Sequence, residues 1–226
     1  MKCMILAAGY GKRMMPLTKE TPKPLLKVGD ETLLDRNIKN VLSNGFDEII
    51  INISYQGAMI RKHIQNHYED SNFVLIEEPH PYGTGGALIN AKKHLGDGSV
   101  LVLNADIFHD FDLSKLNKGV ESIHLVGIEN PEHNKDGDFN INLDGKVFCD
   151  NKNQLTWSGI SIFNTKVLSK IYREDYPFDS WSNIVLPEIA KEKVTGEICQ
   201  DLWLDIGTKD RLELANTIIS KKLKNE

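Results

Sequence analysis

The chain has 226 residues, of which 40% are apolar and 26% charged, enough to bury one sizeable core but too few for two large domains. Its 27 Lys and Arg residues against 32 Asp and Glu residues give a net charge of −5, and the two signs are interspersed along the chain. Because a nucleic-acid-binding protein normally has a basic excess or a basic stripe, we do not expect nucleic acid as a partner.

Cysteine content and hydropathy indicate the compartment. Cys3, Cys149 and Cys199 are odd in number and widely spaced, so they indicate neither a disulfide framework nor a zinc site. The apolar run at the N-terminus is too short for a signal peptide, and no apolar stretch approaches the roughly 20 residues that cross a bilayer. The sequence therefore predicts a soluble, cytoplasmic protein without a membrane partner.

Short runs rich in Ile, Val and Leu recur in the first part of the chain, each bounded by polar or turn residues. They predict buried parallel strands, at residues 3–8, 49–53, 73–76, 100–103 and 123–128. Apolar residues with helical spacing lie between these runs, for example Leu34, Ile38 and Val41. The alternation of strands and helices predicts an α/β fold with a mostly parallel central sheet.

The pattern changes after about residue 130. Residues 138–143 and 146–149 flank an Asp144-Gly145 turn and predict a β-hairpin, which a further strand at 155–163 follows. We interpret this β-rich stretch as an insertion in one domain. A final amphipathic helix is predicted from the apolar residues of one helical face, Leu212, Ala215, Ile218 and Ile219.

The loop after the first predicted strand contains two glycines and several cations. It runs Ala7-Ala8-Gly9-Tyr10-Gly11-Lys12-Arg13, with Pro22-Lys23-Pro24 behind it. Open α/β sheets bind ligands at the carboxyl ends of their strands. Glycines let backbone N–H groups approach an anion, and Arg13 and Lys23 add positive charge. The loop predicts a polyphosphate site, with a glycine turn and two surface cations as the alternative.

Neither of the two common phosphate-binding motifs fits this loop. A Walker A motif needs four residues between its first glycine and Gly-Lys-Ser/Thr, and a Rossmann motif needs a third glycine where Met14 stands. A nicotinamide-dependent oxidoreductase would also need an acidic residue at the end of the second strand, where Asn52 stands. That class of enzyme is therefore disfavoured.

A second glycine-rich segment, Tyr82-Gly83-Thr84-Gly85-Gly86-Ala87, lies between the third predicted strand and the next helix. Small residues allow the backbone to lie flat against a planar ligand. Thr84 also suits a helix cap, but capping alone does not require three glycines in four positions. We expect the backbone edge at residues 84–86 to hydrogen-bond one face of a pyrimidine base.

Two aspartates are candidate metal ligands. Asp106 follows the strand predicted at 100–103, and Asp205 lies in Trp203-Leu204-Asp205-Ile206-Gly207-Thr208, just before the last helix. Two hard oxygen ligands, completed by phosphates, are a common way to hold Mg²⁺ in phosphoryl-transfer sites. We expect Mg²⁺, with Mn²⁺ as a substitute, although either aspartate alone would also fit a turn or a cap.

Together these segments resemble the sugar-1-phosphate nucleotidyltransferases, from Met1 to about residue 216. The family signature G-x-G-x-R-[ML]-x-P followed by P-K-P is matched by Gly9, Gly11, Arg13, Met14, Pro16, Pro22, Lys23 and Pro24. The W-x-D-[IV]-G-T motif is matched by Trp203 to Thr208, whereas Ala105 replaces the usual glycine of N-G-D. The resemblance implies a Rossmann-like, GT-A-like fold with three layers, α/β/α, and a small β-rich insertion on the sugar side.

The resemblance also implies the reaction and the roles of residues. A phosphate oxygen of a sugar 1-phosphate attacks the α-phosphorus of a nucleoside triphosphate, and pyrophosphate leaves. Arg13 and Lys23 would be the catalytic cations, and Asp106 and Asp205 the metal ligands. The nucleotide would be held by Ala8, Gly9, Gly11, Lys12, Thr84, Gly85 and Asn104. The sugar would be bound by Gly137, Asp138, Ser158 and Gly159. Residues 1–226 would form one domain, with a nucleotide-binding half at 1–110 and a sugar-binding half with the closing helix at 111–226.

Two later segments bear on the substrate. Residues 129–139 and 156–161 resemble family members that use UTP and N-acetylmuramic acid α-1-phosphate in peptidoglycan recycling, and these are the expected substrates. Residues 80–83 instead resemble guanylyltransferases that act on heptose 1-phosphate. A guanylyl- or cytidylyltransferase acting on mannose, heptose or another phosphorylated small molecule is the alternative, and a nucleotide-sugar sensor is the non-enzymatic one. A monomer or a small homo-oligomer would fit.

Overall fold

The computed structural model describes residues 1–68, 72–171 and 175–225 of the chain. Its strands are, in chain order, β1 (Cys3–Leu6), β2 (Lys27–Val28), β3 (Glu31–Thr32), β4 (Glu48–Ile53), β5 (Asn72–Glu77), β6 (Ser99–Asn104), β7 (Ile107–His109), β8 (Ile123–Glu129), β9 (Asn140–Ile141), β10 (Val147–Phe148), β11 (Leu155–Asn164), β12 (Val194–Ile198) and β13 (Trp203–Asp205).

The helices complete the chain between these strands. They are α1 (Leu17–Glu20), α2 (Leu33–Ser43), α3 (Gly57–His67), α4 (Gly83–Leu95), α5 (Thr165–Leu168), α6 (Leu186–Ile189) and α7 (Lys209–Asn225). Short 3-10 turns lie at Lys12–Met14, Lys23–Leu25 and Leu113–Leu116, and a π-helical turn at Trp181–Val185 leads into α6. Within the described ranges, no helix is both long enough and apolar enough to span a membrane.

Seven strands form one sheet, in the order β12-β8-β11-β6-β1-β4-β5. Strand β1 is parallel to β4 and β6, β4 is parallel to β5, and β8 is parallel to β12. Strand β11 is antiparallel to both of its neighbours, β6 and β8. Six strands of this sheet therefore run in one direction and β11 runs in the other. The predicted α/β fold with a mostly parallel central sheet is confirmed.

Helices cover both faces of the sheet because successive strand residues point to opposite sides. Ile5 of β1 is buried in one apolar cluster with Ile38 of α2 and Ile60 of α3. The adjacent Met4 is buried in a second cluster with Leu88 of α4, to which α5 and α6 also contribute. The result is the three-layer α/β/α arrangement that the resemblance implied.

A third apolar cluster fixes the loop after β1. Met14 of that loop is fully buried in one cluster with Phe108 of β7, Ile206 and Ala215 of α7. Strands β7 and β13 pair as an antiparallel ribbon, so the cluster joins the loop, the ribbon and the C-terminal helix. Complete burial of an apolar side chain of this size stabilises the fold by about 1.5–3 kcal/mol. Met14 therefore anchors its neighbour Arg13.

All five strands predicted in the first 130 residues are present, but β1 ends at Leu6. It ends there because the N–H of Ala7 donates to the Asn52 side chain instead of to a neighbouring strand. The predicted hairpin is present with strands β9 and β10 of two residues each. The sequence did not reveal β7, β12, β13 or the helical segment 181–189. Strands of three residues are too short to show an alternation, and β12 includes Gly196 and Glu197.

The two predicted halves share the same sheet. Residues 1–110 supply β6, β1, β4 and β5, whereas residues 111–226 supply β12, β8 and β11. Helix α7 comes from the second half but packs beside β2 and the β7–β13 ribbon. The division of nucleotide and sugar binding between the halves stays a prediction.

Candidate active site

A cavity of about 350 Å³ opens at the carboxyl ends of β1 and β6, the edge where open α/β sheets bind ligands. Four separate stretches of chain contribute predicted site residues to its lining. These residues are Ala8, Gly9, Gly11, Lys12, Arg13, Lys23, Thr84, Asn104 and Asp106. The fold thus brings most of the predicted nucleotide site to one place.

The loop after β1 has the features of an anion-binding cradle. Within the part of the chain that the structure describes, the backbone N–H groups of residues 8–12 donate no hydrogen bond. A Cβ added at Gly9 would meet no atom within 4 Å, so a ligand has room to approach the backbone there. Gly11 has φ +61°, and a Cβ there would lie 2.9 Å from Cγ2 of Thr18. Free donors and a close approach are what a phosphate chain requires.

Lys23 contacts one of the two predicted metal ligands. Its ammonium group forms an ion pair with Oδ2 of Asp106, and its side chain is only 11% exposed. The residue lies in a 3-10 turn between Pro22 and Pro24, which limits the backbone on both sides. The cation is therefore held in a defined position at the cavity wall.

Asp205 lies beside Asp106 because of the β7–β13 ribbon. Asp106 immediately precedes β7, and the antiparallel register pairs Asp205 with Ile107. In addition, the N–H of Ile206 donates to the carbonyl of Asp106 at 2.8 Å. Two carboxylates that are far apart in the sequence therefore lie on neighbouring strands.

Asp205 has two basic neighbours. Arg211, in the first turn of α7, forms an ion pair with Oδ1 of Asp205, and Nε2 of His133 lies 3.3 Å from the same oxygen. Burial raises the pKa of the Asp205 carboxyl above its ordinary value, and the charge of Asp106 also raises it, whereas Arg211 and His133 lower it. A buried carboxylate next to a second carboxylate favours the approach of a further cation.

The two carboxylates fit a divalent cation. Asp106 is held through Oδ2 and Asp205 through Oδ1, while the other oxygen of each accepts no hydrogen bond from a described residue. Such oxygens are the ligands that Mg²⁺ prefers. No group of three or more His, Cys, Asp or Glu side chains among the described residues is placed to hold a metal ion. Phosphate or water oxygens would therefore have to complete the coordination.

Gly207 makes room for the cations around Asp205. A Cβ at Gly207 would lie 2.3 Å from Nη2 of Arg211, 2.9 Å from Oδ2 of Asp205 and 3.1 Å from Nη2 of Arg13. A side chain at this position would therefore displace two guanidinium groups. This is a steric reason for the glycine that follows Asp205 and Ile206 in the sequence.

The glycine-rich start of α4 is covered by residues 176–180, which we call the strap. The N–H groups of Gly85 and Gly86 donate to the carbonyl of Phe178 at 3.1 and 3.3 Å. The N–H of Phe178 in turn donates to the carbonyl of Tyr82 at 3.1 Å. The strap thus satisfies backbone donors that a helix leaves unpaired at its first turn.

The strap also accounts for the three glycines. A Cβ at Gly83 would lie 2.3 Å from the carbonyl oxygen of Phe178, and one at Gly85 would lie 2.6 Å from the Phe178 ring. A Cβ at Gly86 would lie 2.6 Å from the ring of Tyr176. Close packing of the strap, rather than a planar ligand, therefore requires small residues here.

The structure bears on three interpretations of this segment. Thr84 does not cap α4: its hydroxyl oxygen accepts hydrogen bonds from the N–H and the hydroxyl of Ser180, at 2.8 and 2.9 Å. The backbone edge at residues 84–86 is not free to bind a base, because Phe178 occupies two of its donors. Gly85 faces the strap and does not line the cavity, whereas Thr84 does.

Replacing Gly83 by Ala should destabilise the protein by roughly 1–3 kcal/mol, the usual cost of overpacking. The new Cβ would meet the Phe178 carbonyl, and the residue has φ +75°. Urea denaturation of the two proteins measures the difference. Gly119→Ala is the matched control, since a Cβ at Gly119 meets no atom within 4 Å. Equal destabilisation by both substitutions would contradict the role of the strap.

Two of the predicted sugar-binding side chains are engaged within the protein. Asp138 accepts hydrogen bonds from Nδ2 of Asn134 at 3.0 Å and from the N–H of Trp157 at 2.8 Å. Ser158 is buried, and its hydroxyl donates to the carbonyl of Val126 at 2.7 Å. The Ser158 hydroxyl is thus directed at the sheet, and a contact of Ser158 with a sugar stays a prediction.

The two predicted sugar-side glycines are sites of close backbone approach. Gly159 has φ +80°, and a Cβ there would lie 2.5 Å from Nδ2 of Asn104. It belongs to a bulge of β11 that borders the cavity lining at Asn104. Gly137 has φ +64°, and a Cβ there would lie 2.7 Å from the amide of Asn130. Neither glycine lines the cavity itself, so a sugar-binding role for the four residues stays a prediction.

Two buried polar residues of the cavity wall, Asn52 and Glu78, had no predicted role. Oδ1 of Asn52 accepts the N–H of Ala7 at 3.0 Å, and Nδ2 of Asn52 donates to Oε1 of Glu78 at 2.8 Å. Oε2 of Glu78 accepts the N–H of Tyr82 at 2.8 Å. Burial raises the pKa of the Glu78 carboxyl. This chain of hydrogen bonds joins the loop after β1 to the start of α4. In the sequence, only the polar Asn52 within the apolar run of β4 indicated it.

Comparison with known proteins identifies the family. Residues 2–126 match the family model of nucleotidyl transferases. Over 229 residues the chain is 34% identical to N-acetylmuramate alpha-1-phosphate uridylyltransferase from Neisseria meningitidis serogroup B, with 96% of this chain and 98% of that protein covered. Over 213 residues it is 25% identical to D-glycero-alpha-D-manno-heptose 1-phosphate guanylyltransferase from Campylobacter jejuni, with 93% and 96% covered.

A solved structure shares the fold. The crystal structure of HddC from Yersinia pseudotuberculosis superposes with a TM-score of 0.80 at 24% identity, and the match covers 96% of this chain and 99% of that one. The signature loop, the paired aspartates and the full-length similarity agree with one another. The chain belongs to the nucleotidyl transferase family and, within it, to the sugar-1-phosphate nucleotidyltransferases.

Proposed function

We propose that the protein transfers the uridylyl group of UTP to N-acetylmuramic acid α-1-phosphate, forming UDP-N-acetylmuramic acid and pyrophosphate. The observation that carries this proposal is the 34% identity, over nearly the whole of both chains, to a uridylyltransferase of that substrate. It agrees with a cavity that combines free backbone donors, three cations and Asp106 at one edge of the sheet, with Asp205 on the strand beside it.

The chain's own residues would act by binding and by charge. The free N–H groups of residues 8–12 would bind the triphosphate, with Lys12 and Arg13 beside them. Lys23 would stabilise the negative charge that develops on the phosphate oxygens during transfer. The attacking group is the substrate's own phosphate oxygen, so no protein nucleophile is required, and positioning dominates catalysis.

Asp106 and Asp205 would hold Mg²⁺ or Mn²⁺. When bound, such an ion neutralises phosphate charge and orients the reacting groups. The free oxygen of each carboxylate supports this role, because it leaves a position for the ion beside the ion pairs of Asp106 with Lys23 and of Asp205 with Arg211. Phosphate oxygens of the nucleotide would provide further ligands to the same ion.

Selection of the base would depend on the cavity wall opposite the phosphate loop. With the edge at residues 84–86 occupied by the strap, the groups that remain on this wall include Glu78, Pro81, Gly83 and Ala87. Pro81, Gly83 and Ala87 are small or apolar, and Glu78 is a buried carboxyl group. This composition supports selection of the base by its shape. Guanylyl transfer to heptose 1-phosphate is the second candidate, because the chain is also 25% identical to an enzyme named for that reaction.

A substrate panel distinguishes the two candidates. We would measure kcat/KM from pyrophosphate release with UTP, CTP and GTP, each against the 1-phosphates of N-acetylmuramic acid, N-acetylglucosamine, mannose and heptose. Asp106→Asn serves as the control for contaminating activity. The kcat/KM for UTP with N-acetylmuramic acid α-1-phosphate should exceed that of every other pair at least tenfold. This ratio corresponds to about 1.4 kcal/mol in transition-state free energy.

Two outcomes would contradict the proposal. A tenfold preference for GTP with a heptose or mannose phosphate would replace the substrates and leave the reaction class intact. Binding of nucleotide sugars without turnover of any pair would instead indicate a sensor.

We further propose a cytoplasmic role in cell-wall recycling, since nucleoside triphosphates are cytoplasmic and Cys3, Cys149 and Cys199 are free thiols.

A further inference from the structure

Arg211 is placed to control the geometry of Asp205. Its side chain is 16% exposed, and its guanidinium group contacts Oδ1 of Asp205, whose side chain is 21% exposed. The contact involves Nη1, while Nη2 occupies the space that Gly207 leaves open. The backbone N–H of Arg211 points to the hydroxyl oxygen of Thr208 at 3.4 Å. The side chain is therefore fixed at the start of α7.

His133 connects this pair to a second part of the chain. Both of its ring nitrogens lie 3.0 Å from Nη1 of Arg211, and its Nε2 lies 3.3 Å from Oδ1 of Asp205. The loop that carries His133 is held by Asn134, whose Nδ2 donates to Asp138 and to the Thr156 hydroxyl at 3.0 Å each. The loop before β9 thus reaches the carboxylate that ends β13.

We propose that Arg211 is a positioning residue for Asp205, with His133 as its secondary support. Arg211 holds one carboxylate oxygen, so that the second oxygen keeps its position next to Gly207. Arg211 acts through Asp205 and does not contact the reacting atoms. The inference rests on the proposed metal role of Asp205 and assigns a task to a residue outside the predicted site.

The physical reason is the cost of a misoriented ligand. Without Arg211, a half-buried carboxylate beside Asp106 loses its main counter-charge and its orientation. Displacement of a catalytic group by about 1 Å can cost roughly 10²-fold in rate. We therefore expect Arg211→Ala to lower kcat by about 10- to 100-fold. His133→Ala should cost less, about threefold, because its contact with Oδ1 of Asp205, at 3.3 Å, is longer than that of Arg211.

A double-mutant cycle tests the inference. We would measure kcat for Arg211→Ala, Asp205→Asn and the double variant. If Arg211 acts through Asp205, adding Arg211→Ala to Asp205→Asn should change kcat by less than about threefold. Multiplicative losses would overturn the inference, since they would mean that Arg211 acts on substrate or on the fold alone. An inactive wild type, or a kcat of Asp205→Asn equal to that of the wild type, would instead contradict the proposed function.

A binding measurement provides a readout that does not depend on turnover. The affinity of the full-length protein for Mn²⁺, measured by electron paramagnetic resonance, should fall about tenfold in Arg211→Ala and recover at least partly in Arg211→Lys, which keeps the charge. Arg61→Ala is the matched control, because Arg61 forms an exposed ion pair with Glu77 at 2.9 Å, away from the cavity. Tighter Mn²⁺ binding by Arg211→Ala would show that Arg211 competes with the metal and would overturn the inference.

Discussion

Replacing either Asp106 or Asp205 by Asn should reduce nucleotidyl transfer by at least roughly 10²–10³-fold, the range seen when one charge-stabilising group is removed. The substitution keeps the shape of the side chain but removes the charge that a divalent cation needs. Because Asp205 lies on the strand that pairs with β7, directly beside Asp106, and the charge of Asp106 acts on it, loss of either carboxylate should weaken metal binding and charge neutralisation together. Steady-state pyrophosphate release with titrated Mg²⁺ measures both.

The control for this experiment is Asp97→Asn, since Asp97 is exposed and outside the cavity. Circular dichroism should show both site variants folded. Activity that persists in excess EDTA, or wild-type turnover in either site variant, would refute the two-aspartate metal site.

Lys23→Ala should lower turnover by roughly 10²- to 10³-fold at saturating substrate. Its ammonium group is placed next to Asp106 by a turn between two prolines, so its charge is preorganised where phosphate charge would develop. The lost interaction is one that strengthens in the transition state, so kcat should fall more than KM rises. Rapid-quench or coupled assays with wild type and variant separate the two parameters.

Lys19→Ala is the matched control, because Lys19 is exposed in the neighbouring helix α1 and does not line the cavity. A loss of turnover of less than threefold in Lys23→Ala would mean that Lys23 has no catalytic role. A loss confined to KM would indicate that it binds the ground state only.

The sequence predicted best what depends on local pattern. The Ile-rich run of β4 predicted a buried strand, and the glycines and cations from Gly9 to Lys23, which predicted a phosphate site, do line one cavity. Helical spacing placed α2, α3 and α4 correctly. These features are encoded within a few residues of one another.

What the sequence did not predict depends on contacts between distant segments. The strap packs Phe178 on Gly85, and nothing local distinguishes a glycine required by a ligand from one required by another part of the chain. The direction of β11 was equally invisible, because an apolar run has the same composition in either direction. The partners of Asp205 required the fold as well, since His133 and Arg211 come from separate loops and helices.

The position of β11 has a consequence for synthesis of the protein. Strand β8 is made before β11, yet it pairs with β11 and β12 and not with β6. Until residues 155–164 leave the ribosome, β6 keeps an open apolar edge and β8 has no partner in the sheet. Unpaired edges of this kind promote association between nascent chains. We therefore expect the strands β6-β1-β4-β5 to keep one unpaired edge on the nascent chain until β11 has been made.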